Sequence, residues 1–190
     1  MKDQNFSNLT GKILIASPFA MAGNVFHKSL IYVIKHTEEG SIGLIINRLI
    51  NNTPAKNVFG KIKGIDIQNL NLDIYIGGPV EVERGFFLHT SDYNKNLLFH
   101  PDEGELAVSS NVEILKDIVN EKGPKNSIFT IGYTGWSKGE LELELENNLW
   151  IITYSNLDLI FSKDNANKWS NSLSLLGISS NYFVPSNAIC

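Results

Sequence analysis

Cysteine is almost absent from this chain: one Cys, at position 190, in 190 residues. A lone thiol can form no internal disulfide and no Cys-rich metal site. That suits a reducing compartment, and a cytoplasmic location is expected on this ground. Cys190 is no candidate nucleophile either, because a chain terminus seldom holds catalytic geometry. Long apolar runs are missing as well. None approaches the ~20 residues of a membrane helix, so no membrane association is expected. Ile13–Gly23 (ILIASPFAMAG) is mostly apolar and contains a small-residue pattern, Ala20-Met21-Ala22. Asp3 in the supposed positive region and Pro18 inside the run argue against export and for a buried first strand followed by a loop. There is no excess of basic charge. With 16 Lys+Arg against 20 Asp+Glu the formal charge is −4, which forecasts no basic face for a phosphate backbone.

The familiar catalytic and nucleotide motifs are also missing. There is no G-x-x-x-x-G-K-[ST], no G-x-G-x-x-G after a strand, no H-E-x-x-H and no G-x-S-x-G. The four histidines, His27, His36, His89 and His100, show no metal-ligand spacing. His36 and His89 follow or end strands and could meet across a sheet. The plainer reading gives each ring a neighbouring backbone partner. No metal and no cofactor is expected.

What is present is an ordinary globular balance. Hydrophobic residues are 43% and charged residues 19%, enough to fill one core without a long disordered stretch. The length fits one domain over 1–190, with residues 1–11 polar and loose. Lys12–Ala16 reads as a strand. Leu30–Lys35 (LIYVIK) and Ile42–Ile46 (IGLII) are β-rich runs joined through Thr37-Glu38-Glu39-Gly40, a hairpin signature. Apolar residues at nearly every position predict burial on both faces. Thr53–Gly60 has helix-start chemistry. Asp73–Ile76, Phe86–His89, Glu105–Val108, Ser127–Tyr133 and Trp150–Tyr154 are further strands. Ser110 and Glu113 form a capping-box pattern opening a helix over Asn111–Lys122, stopped by Gly123-Pro124. A second helix is read over Asn165–Leu176, with Asp164 as its cap. Gly139–Asn148 (GELELELENN) alternates like a strand, while Leu141, Leu145 and Leu149 fit a helical stripe. The residues leave that choice open. The hairpin argues against a purely parallel sheet and for an antiparallel or mixed sheet with flanking helices.

Two arginines bear chemistry. Asn47-Arg48 closes one strand, and Arg84 lies in Tyr75–His89 (YIGGPVEVERGFFLH). A strand-end arginine can hold a carboxylate or phosphate in a bidentate grip, or pair with Glu81, Glu83 or a carbonyl. Gly132–Leu141 (GYTGWSKGEL) is glycine-rich before a possible helix. Glu140, Glu142 and Glu144 would repel a phosphate there, which favours a structural turn with Trp136 packed over it. A cationic or neutral ligand beside these carboxylates is the alternative.

Six segments, taken in order, carry a family resemblance: GKILIASP (11–18), HKSLIYVIKH (27–36), GSIGLIINR (40–48), YIGGPVEVERGFFLH (75–89), GYTGWSKGELELE (132–144) and WSNSLSLLGI (169–178). The set resembles the bacterial AlgH/YqgE family over nearly the whole chain. The resemblance implies an α+β fold with a mixed, mostly antiparallel sheet curled into a pseudo-barrel with flanking helices. It places a helix over 139–147. It implies no established activity; the AlgH branch is named as a transcriptional regulator linked to alginate production. Recurrent family residues map onto His36, Gly43, Asn47, Arg48, Gly77, Gly78, Pro79, Arg84, Gly85, Phe86, His89, Gly132, Gly135, Trp136, Glu142 and Trp150. The chain departs at Leu49, where many members have Pro, and at Gly23-Asn24, where many have Asp-Pro.

The functional expectation is a small regulatory or binding module without established catalysis. Its candidate ligand-binding residues are His36, Asn47, Arg48, Arg84, His89 and Glu142, and its partner is a small anion or a protein. The glycines Gly77, Gly78, Gly85, Gly132 and Gly135, with Pro79 and Trp136, are expected to be structural. A regulator of transcription acting directly or through a partner, and an enzyme using the strand-end pocket, are the alternatives. No DNA-reading motif supports direct contact.

Overall fold

Strand β1 (Lys12–Ala16, KILIA) shows how this chain divides its apolar residues. Successive side chains of a strand point to opposite faces. Ile13 and Ile15 enter one core and Leu14 and Ala16 another. Both faces are therefore covered. The computed structural model describes residues 8–18, 23–50, 72–100 and 104–178. The expectations for 1–7, Ala20–Ala22, Thr53–Gly60 and Cys190 lie outside them.

β2 (Leu30–Thr37) and β3 (Gly40–Ile45) form the expected hairpin, closing at Thr37 opposite Gly40. β4 (Ile74–Ile76), β5 (Val80–Thr90), β6 (Leu97–Phe99), β7 (Leu106–Ser109), β8 (Ser127–Ser137) and β9 (Trp150–Tyr154) complete a sheet of nine strands among the described residues. Its order is β6-β7-β5-β8-β3-β2-β1-β9, with β4 added beside β8. All pairings are antiparallel except β4 with β8. One buried cluster takes residues from β1, β2, β3, β5, β7 and β8 together with Tyr75 of β4. Strands so far apart in the order share one core because the sheet curls around it. The fold is α+β, a mostly antiparallel sheet curled into a pseudo-barrel.

Four helices among the described residues cover the cores. α1 (Glu113–Val119) packs Ile114 and Leu115 onto Phe87 and Phe129. α2 (Glu140–Glu146) packs Leu141 and Leu145 onto the outer face. α3 (Leu157–Phe161) and α4 (Lys168–Leu175) close the inner core with Leu159, Ile160, Trp169 and Leu173. The 139–147 segment is thus helical, as the family resemblance implied. α1 starts later than its sequence pattern predicts. Ser110 does not cap it; the Asn111 Oδ1 accepts the Glu113 N–H at 2.9 Å instead. α4 starts at Lys168 rather than Asn165, and the Asp164 carboxylate takes the Asn167 side-chain amide. α3 and β6 carried no clear sequence signal.

The glycine-proline stretch 77–79 is not the simple φ > 0 turn its composition suggests. β4 and β5 both pair with residues 129–131 of β8. They must lie on opposite edges of it, so residues 77–79 cross the β8 backbone from one edge to the other. A Cβ on Gly77 would sit 2.3 Å from the Gly132 carbonyl oxygen, and one on Gly78 would sit 2.1 Å from the Tyr133 carbonyl carbon. A Cβ on Gly132 would meet the Gly78 oxygen at 2.4 Å. Only backbone without side chains fits where two chains touch. Gly85 makes room differently, for the Phe129 ring, 2.5 Å from where its Cβ would be.

Candidate functional site

His36 is the next-to-last residue of β2, on the half-buried rim of the barrel. Its Nδ1 accepts the Leu9 N–H at 3.1 Å, and its Nε2–H donates to the Glu142 Oε1 at 2.8 Å. Two of the six candidates therefore meet, across 106 residues of sequence. The neighbouring carboxylates of α2 are also engaged. Glu140 accepts the Ser137 N–H at 2.8 Å. Glu144 accepts both indole N–H groups, from Trp136 at 2.7 Å and Trp150 at 2.6 Å. Trp136 is buried against the outer core as expected. The glutamates thus staple α2 to the sheet, with no anion cradle at its start.

Asn47 and Arg48 act on a different segment. The Asn47 Oδ1 accepts the Leu30 N–H and its amide donates to the Lys28 carbonyl, both at 2.9 Å. Arg48 donates to the His27 carbonyl at 3.0 Å. Burial holds its guanidinium below the ordinary arginine range. Together they strap residues 27–30, where Lys28 adopts a left-handed φ of 56°.

Arg84 and His89 lie apart from both groups and from each other. Arg84 is half exposed. It pairs with Glu81 at 3.2 Å and lies over the Phe86 ring, 5.1 Å from its centroid. Glu81, at a left-handed φ of 44°, also accepts the Tyr133 hydroxyl at 3.2 Å. His89 is fully buried. Its Nδ1–H donates to the Thr90 carbonyl at 2.9 Å, so its Nε2 accepts the Ser109 hydroxyl at 3.0 Å. Burial pushes this ring below the ordinary histidine range, against an opposing contribution from the Thr90 bond. Ser109 and His89 have the hydrogen bond of a nucleophile and its base. Both are sealed from solvent. No group of three His, Cys, Asp or Glu that could hold a metal occurs among the described residues.

The concavity beside His36 is a cleft of about 670 Å³ between the start of β1, the end of β2 and the β6–β7 hairpin. Lys12, Lys35, His100 and Glu105 line it, with Tyr32 at its floor. Tyr32 is 2% exposed, and burial pushes its hydroxyl up to about 12. It therefore stays a donor. Neither lysine has a carboxylate partner among the described residues. Sequence reading missed Tyr32, since a tyrosine in a β-rich run signals only packing.

It also missed Lys168. This side chain is fully buried on α4, and its ammonium donates to the carbonyls of Ile46 at 3.0 Å and Ile160 at 2.8 Å. Burial lowers it to about 8. It ties the end of β3 to α3, a structural use of charge.

No helix among the described residues is long and apolar enough to cross a membrane. A family model described as AlgH-like matches residues 13–181. A UPF0301 protein of Rickettsia canadensis is 54% identical over 186 residues, covering 96% of each chain. A UPF0301 protein of Rickettsia typhi is 53% identical over the same length and coverage. Among solved structures, the solution structure of the AlgH protein from Pseudomonas aeruginosa is similar with a TM-score of 0.74 and 30% identity, covering 100% of both chains. A crystal structure of a protein from Corynebacterium diphtheriae shares the fold at 19% identity, with a TM-score of 0.68 over 87% of this chain and 85% of its own. This chain belongs to the AlgH-like family.

Proposed function

We propose that this protein is a binding module without turnover, and that it takes a small anion in the cleft beside His36. The observation that carries this reading is the Tyr32 hydroxyl. The tyrosine is buried as a whole, but its hydroxyl faces the cleft, is held protonated, and has no hydrogen-bond partner among the described residues. A hydroxyl that faces the cleft can give its hydrogen bond to a ligand oxygen, at a net worth of about 0.5–1.5 kcal/mol. Lys12 and Lys35 add positive charge to the lining, against Glu105 as the one carboxylate among its described residues. The sealed Ser109–His89 pair favours binding over hydrolysis, because no substrate atom can reach it. The name of the Pseudomonas relative says nothing about DNA contact by this chain.

Thermal-shift and calorimetric titrations with phosphate, sulfate and small dicarboxylates test this reading. A bound anion at 100 times its dissociation constant adds roughly 2.7 kcal/mol. Tyr32→Phe keeps the fold and weakens binding about fivefold to tenfold, the worth of one hydrogen bond. Lys12→Gln/Lys35→Gln weakens it further at low salt. No stabilisation by any of these anions, or equal stabilisation of wild type and both variants, overturns the proposal.

A further inference from the structure

We infer that Glu142 and His36 are positioning residues: together they hold residues 8–11 as one wall of the cleft and do not touch its ligand. The inference rests on the binding reading above for the ligand, and on the hydrogen bonds alone for the wall. Both nitrogens of His36 are already occupied, Nδ1 by the Leu9 N–H and Nε2 by Glu142. An Nδ1 that accepts carries no proton, so the ring proton sits on Nε2. The opposite tautomer would set N–H against N–H at Leu9 and a lone pair against the carboxylate at Glu142. Glu142 therefore selects the one ring state that can hold Leu9.

The segment that this bond fastens is built into the cleft. Asn8, Thr10 and Gly11 belong to its lining. The His36 N–H donates to the Thr10 Oγ1 at 2.9 Å, and the Asn8 Oδ1 accepts the Thr10 N–H at 2.9 Å. The Gly11 N–H reaches the Val33 carbonyl at 2.8 Å. The Leu9 side chain enters the outer core beside Leu141 and Leu145, on the helix that carries Glu142. Helix α2 thus grips the wall twice, through Leu9 packing and through the His36 tautomer.

The test combines imidazole ¹⁵N shifts, amide exchange at Leu9 and a titration with inorganic phosphate. Wild type shows a protonated Nε2 and a bare Nδ1. Glu142→Leu brings in the other tautomer, speeds Leu9 exchange about tenfold and weakens phosphate binding several-fold, the scale of one lost hydrogen bond. Glu142→Gln, which keeps an acceptor oxygen, restores all three. His36→Asn places its Oδ1 near the former Nδ1 and keeps both Leu9 protection and phosphate affinity within about twofold, below the worth of a hydrogen bond. An unchanged tautomer and unchanged Leu9 exchange in Glu142→Leu overturn the inference. So does loss of phosphate binding in His36→Asn with Leu9 still protected, since that would make the ring a ligand contact. If phosphate fails to bind even wild type, the anion reading fails, while the tautomer and the Leu9 amide still decide this one.

Discussion

The buried ammonium of Lys168 makes stability rise on the alkaline side of neutrality. In the folded chain this group is lowered to about 8, whereas an unfolded lysine titrates near its ordinary value of ~10.4. Between those values the unfolded chain binds more protons than the folded one, so folding becomes more favourable as pH rises. Below about 8 the lysine is charged in both states and the cost of burying it is constant. The expected gain is about 2 kcal/mol between pH 7 and 9.5. Tyr32 and Tyr93, each raised to about 12, work in the opposite sense, mostly above pH 10. Comparison with Lys168→Met cancels them. That variant also leaves the carbonyls of Ile46 and Ile160 unpaired, at a cost that does not vary with pH. Urea unfolding of both proteins at half-unit steps from pH 7 to 9.5 reads the difference. A wild-type-minus-variant stability that stays flat within about 0.5 kcal/mol would refute the reasoning, since a shift of this size must appear as a slope.

Four other perturbations separate structural from surface roles. Gly78→Ala should cost more than about 4 kcal/mol, because its Cβ meets the Tyr133 backbone. Gly139→Ala has open space around it and loses only the ~1–2 kcal/mol of a left-handed residue; thermal melts that rank the two the other way would contradict the crossing. His89, lowered by burial, makes stability fall as pH drops below ~6.5, by at most about 1.4 kcal/mol per pH unit; a ring proton resonance that titrates at or above the ordinary value would sink this. Arg84→Ala should shift stability by less than about 1 kcal/mol, since its ion pair with Glu81 is half exposed; a larger loss by urea titration would assign Arg84 a structural task.

Much of the strand framework was legible because both faces of it are apolar. KILIA, LIYVIK and IGLII need no partner to be read as buried strands, and the Thr37–Gly40 turn joins two of them. The GELELELENN segment was not decidable locally. Its helix is settled by contacts outside the segment, with Glu142 finding His36 106 residues away and Glu144 finding the indoles of Trp136 and Trp150, 8 and 6 residues away on the flanking strands. A strand-like alternation of Leu and Glu could not announce donors on β2, β8 and β9. The candidate residues were legible one by one and their grouping was not. His36 and Glu142 meet, Asn47 and Arg48 strap residues 27–30, and Arg84 and His89 stand apart. Lys168 was invisible because a lysine on a short helix ordinarily faces water. Its carbonyl partners are 122 and 8 residues away in sequence.

The position of β8 has a consequence for how the chain must be made. This strand joins β3, β4 and β5 at once and is synthesised after all of them. Until it leaves the ribosome, β3 and β5 have open edges facing each other with nothing between them, the exposed pairing surface on which nascent chains aggregate. The final register then depends on inserting a late segment beneath the glycine crossing that precedes it by some fifty residues. Such non-local closure is intrinsically slow. Nascent chains stalled before Ser127 should therefore be protease-sensitive and chaperone-bound, and those extended past Ser137 should gain protection in one step.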